Sequence, residues 1–138
     1  TTLTQGIGAG LSAEGQITSP TFVLSRVHPT PAGRPDLVHV DAYRLSGLDE
    51  LEDLDLDASL AESVTVVEWG RGVADAMEDH RLEIDILRSD DEDESRLVLI
   101  RGIGARWSST DLAVLASADT PAPASAGTDV AHAAQGAR

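Results

Sequence analysis

The sequence predicts an α/β fold built around a mixed sheet, and three observations predict it. Residues 1–11 (TTLTQGIGAGL) carry Leu3, Ile7 and Leu11 at i, i+4 and i+8, as on one face of a helix. Residues 21–27 (TFVLSRV) and 37–41 (LVHVD) are rich in β-formers and flank HPTPAGRPD, a turn with three prolines and a glycine, so they read as a hairpin with a wide loop. Residues 63–68 (SVTVVE) are a nearly continuous β-branched run, as in a strand buried on both faces.

The first helix holds glycines at 6, 8 and 10, each costing up to about 1 kcal/mol against Ala, so it must pack closely on something. Residues 12–20 read as a loop. Residues 47–54 and 57–62 place Leu48, Leu51, Leu54 and Leu60 among acids and read as short acidic helices, and 72–77 begins another helix. Residues 81–87 (RLEIDIL) alternate strictly, as in an antiparallel strand with one wet face. Its partner is 96–101 (RLVLIR), across five consecutive acids at 90–94. That run reads as a solvated turn; a Ca²⁺ loop wants spaced oxygens and a Gly at its sharp turn. Beyond Trp107 the chain turns to Ala, Ser, Thr, Pro and Gly. Two parts follow: a domain over 1–107 and a disordered tail over 108–138, with a short helix at most over 111–116.

Composition narrows the function. The 138 residues suffice for one domain with a core, drawn mainly from Leu, Ile, Val and Ala, since only Phe22, Tyr43, Trp69 and Trp107 are aromatic. A net charge of −14 disfavours direct binding to DNA, RNA or an anionic membrane. There is no Cys, hence no disulfide and no thiolate metal site, and no apolar run approaches the roughly 18 residues of a membrane span. A cytoplasmic protein is expected. All ten basic residues are Arg, so chemistry that needs a lysine cannot be run by these residues alone.

Three places set oxygen ligands at strand or loop ends: Ser19-Pro20-Thr21-Phe22 ahead of a strand, Asp41 at the end of LVHVD, and Glu68-Trp69 at the end of SVTVVE. In open α/β sheets ligands gather outside the carboxyl ends of strands, and one or two carboxylates there suffice for Mg²⁺. An apolar strand ending in an acid is also how a Walker B segment looks. Taken singly, either acid is explained by a strand that has reached water. His39 reads as a satisfied core residue, and His28 and His80 as ordinary loop residues.

In order, TTLTQGI, TSPTF, HVDAYRL and VVEWG resemble the bacterial TsaE family, the small P-loop ATPases of tRNA threonylcarbamoyladenosine (t6A37) biosynthesis. The resemblance covers roughly residues 1–101, and the acidic Leu-rich stretch after Asp41-Ala42-Tyr43-Arg44-Leu45 also looks like the family's. It implies a P-loop NTPase-like three-layer fold with a mixed sheet. It further implies that G-x-G-A-G-K directly precedes Thr1, so that this chain lacks its first strand and its P-loop and is inactive alone.

The resemblance also implies site roles. Thr1 would ligate Mg²⁺ and Thr2 would sit beside the phosphates, at a helix end whose free N–H groups favour anions. Thr21 would be a switch-like residue sensing metal or γ-phosphate. Glu68 would be the Walker-B-like acid, Asp41 would hold the metal's shell or orient the attacking water, and Trp69 would pack near the nucleotide. ATP and Mg²⁺ are the implied cofactors. The TsaB–TsaD pair is the implied partner, with tRNA met through that complex.

Two rivals need stating. One is a non-catalytic acidic interaction domain that has lost nucleotide binding, for which the missing lysine argues; ATP binding by the native gene product would remove it. The other is a carboxylate-pair hydrolase using Asp41 and Glu68, which leaves TTLT and SPTF unexplained. A sheet without a central parallel strand exposes an unpaired edge. This polypeptide made alone is therefore expected to aggregate; a cooperative thermal transition with monomeric elution would contradict that.

Overall fold

The computed structural model describes residues 1–20, 23–45, 60–88 and 95–116. Helix α1 (Thr2–Leu11) is followed by strands β1 (Ser25–His28), β2 (Asp36–Asp41) and β3 (Ser63–Glu68). These form one sheet in the order β1-β2-β3, with β1 antiparallel and β3 parallel to β2. The mixed sheet is as predicted. Strands β4 (Arg81–Arg88) and β5 (Arg96–Ile103) pair antiparallel as a separate ribbon, again as predicted. The acidic run at 90–94 lies outside the described residues.

Strand β2 is the spine. Leu37, Val38, His39 and Val40 are all within 1% of complete burial, so both faces are covered. Alternation sends Val38 and Val40 to one face, where Leu45, Val67, Val73 and Met77 pack. Leu37 and His39 take the other face, under α1. Burying each of Leu37, Val38 and Val40 contributes about 1.5–3 kcal/mol. Helix, sheet and the segment carrying Val73 and Met77 thus make three layers around one strand.

The helix meets the sheet through Thr4 and Gly8, its two buried residues, rather than through the Leu3, Ile7 and Leu11 face expected from apolar spacing. Leu3 is 40% exposed. The reason is close approach: a Cβ at Gly8 would overlap Ile17 Cδ1 and press on Leu37 Cδ2 at 3.2 Å. The missing side chain of Gly8 leaves the space that the ends of Ile17 and Leu37 fill. Ser12 closes α1 in a left-handed conformation (φ 62°), its N–H donating to the Ala9 carbonyl at 3.1 Å. Arg34, from the hairpin loop, donates to the Gly10 carbonyl at 3.2 Å, a cation at the negative end of the helix.

Three expectations are corrected. Strand β1 begins at Ser25, not at residue 21, because Leu24 is left-handed (φ 58°) and its N–H turns back to the Pro20 carbonyl. Strand β3 is half-buried along its length rather than buried on both faces, since it is the outer strand of the three. The segment after Glu68 forms a short 3₁₀ turn (Ala74–Ala76), not a longer helix; Arg71–Asp85 and Asp75–Arg81 ion pairs tie it to β4. The expected acidic helices over 47–54 and 57–62 fall almost wholly outside the described residues. A 3₁₀ turn at Leu112–Ala116 occupies the start of the segment read as the tail, and residues 117–138 lie outside the description.

The glycines of α1 should separate under substitution. Nothing lies within 4 Å of a Cβ built on Gly6. Gly6→Ala should stabilise by about 0.5–1 kcal/mol, and Gly8→Ala should destabilise by about 1 kcal/mol net of its helix gain. Urea unfolding of the two variants reads the difference; equal effects would show that Gly8 is not a contact point.

Candidate functional site

The register of the parallel pair builds the site. Asp36 pairs with Ser63, and the match runs without slippage to Asp41 beside Glu68. Two carboxylates therefore end adjacent strands at the carboxyl edge of the sheet, about 4.8 Å apart in backbone spacing. Both lie on the face that carries His39, the α1 face. The N-terminus of α1 closes over Glu68.

Glu68 is the meeting point. Its Oε1 accepts a hydrogen bond from Thr4 Oγ1 at 2.9 Å and contacts the Thr1 backbone nitrogen. Its Oε2 accepts from Thr1 Oγ1 at 3.3 Å. His39 Nε2 approaches Oε1 to 3.1 Å, but without hydrogen-bond alignment. One strand over, Asp41 is fixed through both oxygens. Its Oδ1 caps the following 3₁₀ turn by accepting from the Tyr43 N–H at 3.1 Å, and Oδ2 accepts from Ser19 Oγ at 3.2 Å. The Ser-Pro loop is thereby tied to the strand end.

Trp69 follows Glu68 in a left-handed conformation (φ 61°), a strained backbone for a bulky residue. That turn ends β3 and throws the indole outward. Trp69 and Tyr43 are 71% and 72% exposed, yet they meet each other with ring centroids 5.6 Å apart and planes tilted by 57°. An exposed aromatic pair thus borders the carboxylates.

The structure brings Thr1, Asp41, Glu68 and Trp69 to one edge. Thr2 opens α1 and is exposed, and the helix's contacts with Glu68 come from Thr1 and Thr4 instead, while Thr21 lies outside the described residues. Three residues were not anticipated: Ser19 as the partner of Asp41, Thr4 as the partner of Glu68, and His39 beneath it. Thr4 stands one helical turn after Thr1, a spacing that could have flagged it. The reading of His39 as a satisfied core residue is corrected. It is completely buried, and neither ring nitrogen has a hydrogen-bond partner among the described residues.

Electrostatics follow from this crowding. Burial pushes His39 below its ordinary value of 6.5, more than the Glu68 carboxylate raises it, so the ring is held neutral. Burial pushes the Glu68 carboxyl up, whereas the hydrogen bond from Thr4 and the nearby His39 ring pull it down. At neutral pH the site presents two carboxylates, hydroxyls and the uncapped N-terminus of a helix. That set binds cations through oxygen and anions through backbone N–H groups. Among the described residues no three His, Asp or Glu side chains converge to hold a metal unaided. No helix among them is long and apolar enough to cross a membrane.

An α/β protein with acids at the carboxyl edge of parallel strands, facing a helix N-terminus, is the class this geometry defines. The chain belongs to the TsaE family: the family model "Threonylcarbamoyl adenosine biosynthesis protein TsaE" matches residues 1–98. It is 56% identical over 119 residues to the tRNA threonylcarbamoyladenosine biosynthesis protein TsaE of Streptomyces coelicolor, covering 84% of this chain and 80% of the relative. The protein of the same description from Mycobacterium tuberculosis is 46% identical over 95 residues, covering 64% of this chain and 56% of the relative. That of Bacillus subtilis is 33% identical over 108 residues, covering 78% and 65%. The chain thus spans little more than half the length of its mycobacterial relative.

Acid should destabilise this site. The unfolded chain takes a proton on His39 near 6.5, whereas the native ring resists it, so stability is lost as pH falls below about 6.5. The thermal midpoint should drop between pH 7.5 and 5.5, and His39→Gln should flatten that drop. An unchanged slope in the variant would clear His39 of the effect.

Proposed function

We propose that the protein carrying this chain binds and hydrolyses ATP with Mg²⁺ in support of tRNA threonylcarbamoyladenosine biosynthesis. The observation that carries the reading is the contact of Thr1 and Thr4, at the start of α1, with Glu68 at the end of β3. It sets a helix N-terminus against a strand-end acid, in a chain of the TsaE family. Relatives in that family bear names that assign them to this biosynthesis.

The donor set suits Mg²⁺. Glu68, Asp41, Thr1 and Ser19 offer only hard oxygen, and Mg²⁺ takes one or two carboxylates and completes its shell with water and phosphate oxygens. Thr1 Oγ1 and Glu68 Oε2 are the groups that would hold it. Bound there, the ion would neutralise charge on the β- and γ-phosphate oxygens.

The chain's own residues do the rest. The N–H groups of the first turn of α1, which have no intrahelical partners, receive phosphate oxygens. Thr2 lies beside them. Asp41, already fixed by Ser19 and the Tyr43 N–H, retains lone pairs with which to orient the attacking water. Thr21, two residues beyond Ser19, is proposed to sense the metal or the γ-phosphate. The Trp69–Tyr43 pair offers an aromatic surface beside the acids, against which a base can pack. Hydrolysis is assigned to the whole protein, because the lysine of a phosphate loop is not among these 138 residues.

We extend the reading to the partner: a cytoplasmic TsaB–TsaD complex that handles the tRNA. The −14 charge supports that division of labour, since this chain is unsuited to gripping tRNA itself.

In the native gene product, Asp41→Ala and Glu68→Ala should each cut steady-state ATP hydrolysis on the order of 10²-fold while circular dichroism stays native. Unchanged turnover in both variants would overturn the assignment and leave the non-catalytic interaction domain as the better reading.

A further inference from the structure

The two oxygens of Glu68 are not equivalent. Oε1 is turned inward, onto the Thr4 hydroxyl at 2.9 Å and the His39 ring at 3.1 Å, and its one further contact is the Thr1 nitrogen at the rim. Thr4 and His39 are essentially without solvent contact, at 1% and 0% exposure. Oε2 is turned toward the exposed Thr1 hydroxyl at 3.3 Å. A glutamate's last torsion is broad and two-fold, so a free carboxylate samples orientations that exchange its oxygens. Here one oxygen is pinned from below and the other is presented.

Thr4 is the group that pins it. A hydroxyl has a single proton, and a threonine within a helix commonly gives it to a carbonyl of its own preceding turn. Thr4 instead gives it across to β3, a partner 64 residues away in sequence. His39 blocks the space behind Oε1 but is misaligned for a hydrogen bond, and Thr1 is exposed, so Thr4 is the buried donor that holds Oε1.

We propose that Thr4 is a positioning residue: its buried hydroxyl fixes Glu68 Oε1 and thereby aims Oε2 at the N-terminus of α1, where the reaction is run. The inference rests on the ATPase reading above and deepens it. Thr4 touches neither nucleotide nor metal, and acts through Glu68. Such a group alters the geometry of the reacting state more than ground-state binding, so its loss should fall on kcat rather than KM.

The test compares Thr4→Val, which keeps the shape and removes the hydroxyl, with Thr4→Ser, which keeps the hydroxyl. Both are made in the native gene product. With MgATP as substrate, Thr4→Val should lower kcat about tenfold with KM within twofold, and Thr4→Ser should recover kcat to within twofold. Thermal midpoints are measured in parallel in Glu68 and Glu68→Ala backgrounds. The loss caused by Thr4→Val should largely vanish in the second, because its partner is gone. Thr4→Ala replaces Thr4→Val if the latter does not fold. Wild-type kcat in Thr4→Val, or Thr4→Ser no better than Thr4→Val, overturns the positioning role alone. An equal loss of midpoint in both backgrounds overturns it too, by showing that the bond is not made in solution. No turnover in the unsubstituted protein overturns the ATPase reading, and the role with it.

Discussion

The parallel pairing of β2 with β3, held in register over six residues, is the constraint on which the rest depends. A slip of one residue would send Glu68 to the opposite face, away from α1. The register is secured from below. Val40 and Val67 are neighbours on the Val73 and Met77 side, and the tight burial of β2 leaves no room for another alignment. Packing on one face thus fixes the placement of polar groups on the other. The apolar layer and the acidic edge are two consequences of the same alternation.

On the α1 face the fold accepts local costs. Trp69 sits in a left-handed backbone, which for a bulky residue costs about 1–2 kcal/mol. His39 is buried with neither nitrogen in a hydrogen bond among the described residues. Neither is how a segment shaped for stability alone is built. The left-handed turn at Trp69 ends β3 as soon as Glu68 has been placed, and stands the indole next to Tyr43 at the rim. The neutral imidazole fills the space beneath the carboxylate without adding a charge that would have to be matched. Both irregularities lie within one residue of Glu68 in sequence or in space.

What was legible in the sequence followed periodicity and strand ends. The hairpin, the third strand, the β4–β5 ribbon and the two acids could all be read, because each is written in a run of consecutive residues. What was not legible depends on pairs far apart in sequence. The helix face was misread because apolar spacing marks Leu3, Ile7 and Leu11, whereas the helix buries small residues, Thr4 and Gly8, against the side chains beneath. The start of β1 was misplaced because the left-handed turn at Leu24 carries no glycine to announce it. Ser19 and His39 became site residues only through Asp41 and Glu68, across 22 and 29 positions.

The same distinction explains why Glu68 rather than Asp41 organises the site. Asp41 is held by its own neighbourhood, the Tyr43 N–H two residues on and the Ser19 hydroxyl of the adjoining loop. Its orientation is largely a local property of the strand end. Glu68 has no such local cap. Its hydrogen bonds come from α1, and its remaining contact from the buried ring on β2. A carboxylate on β3 held by two other elements, α1 and β2, reports whether those elements are docked. A local acid oriented by its own turn does not. Any movement of α1 relative to the sheet would therefore be felt first at Glu68, while Asp41 kept its place. The acid most exposed to such movement is the one the fold surrounds with buried partners.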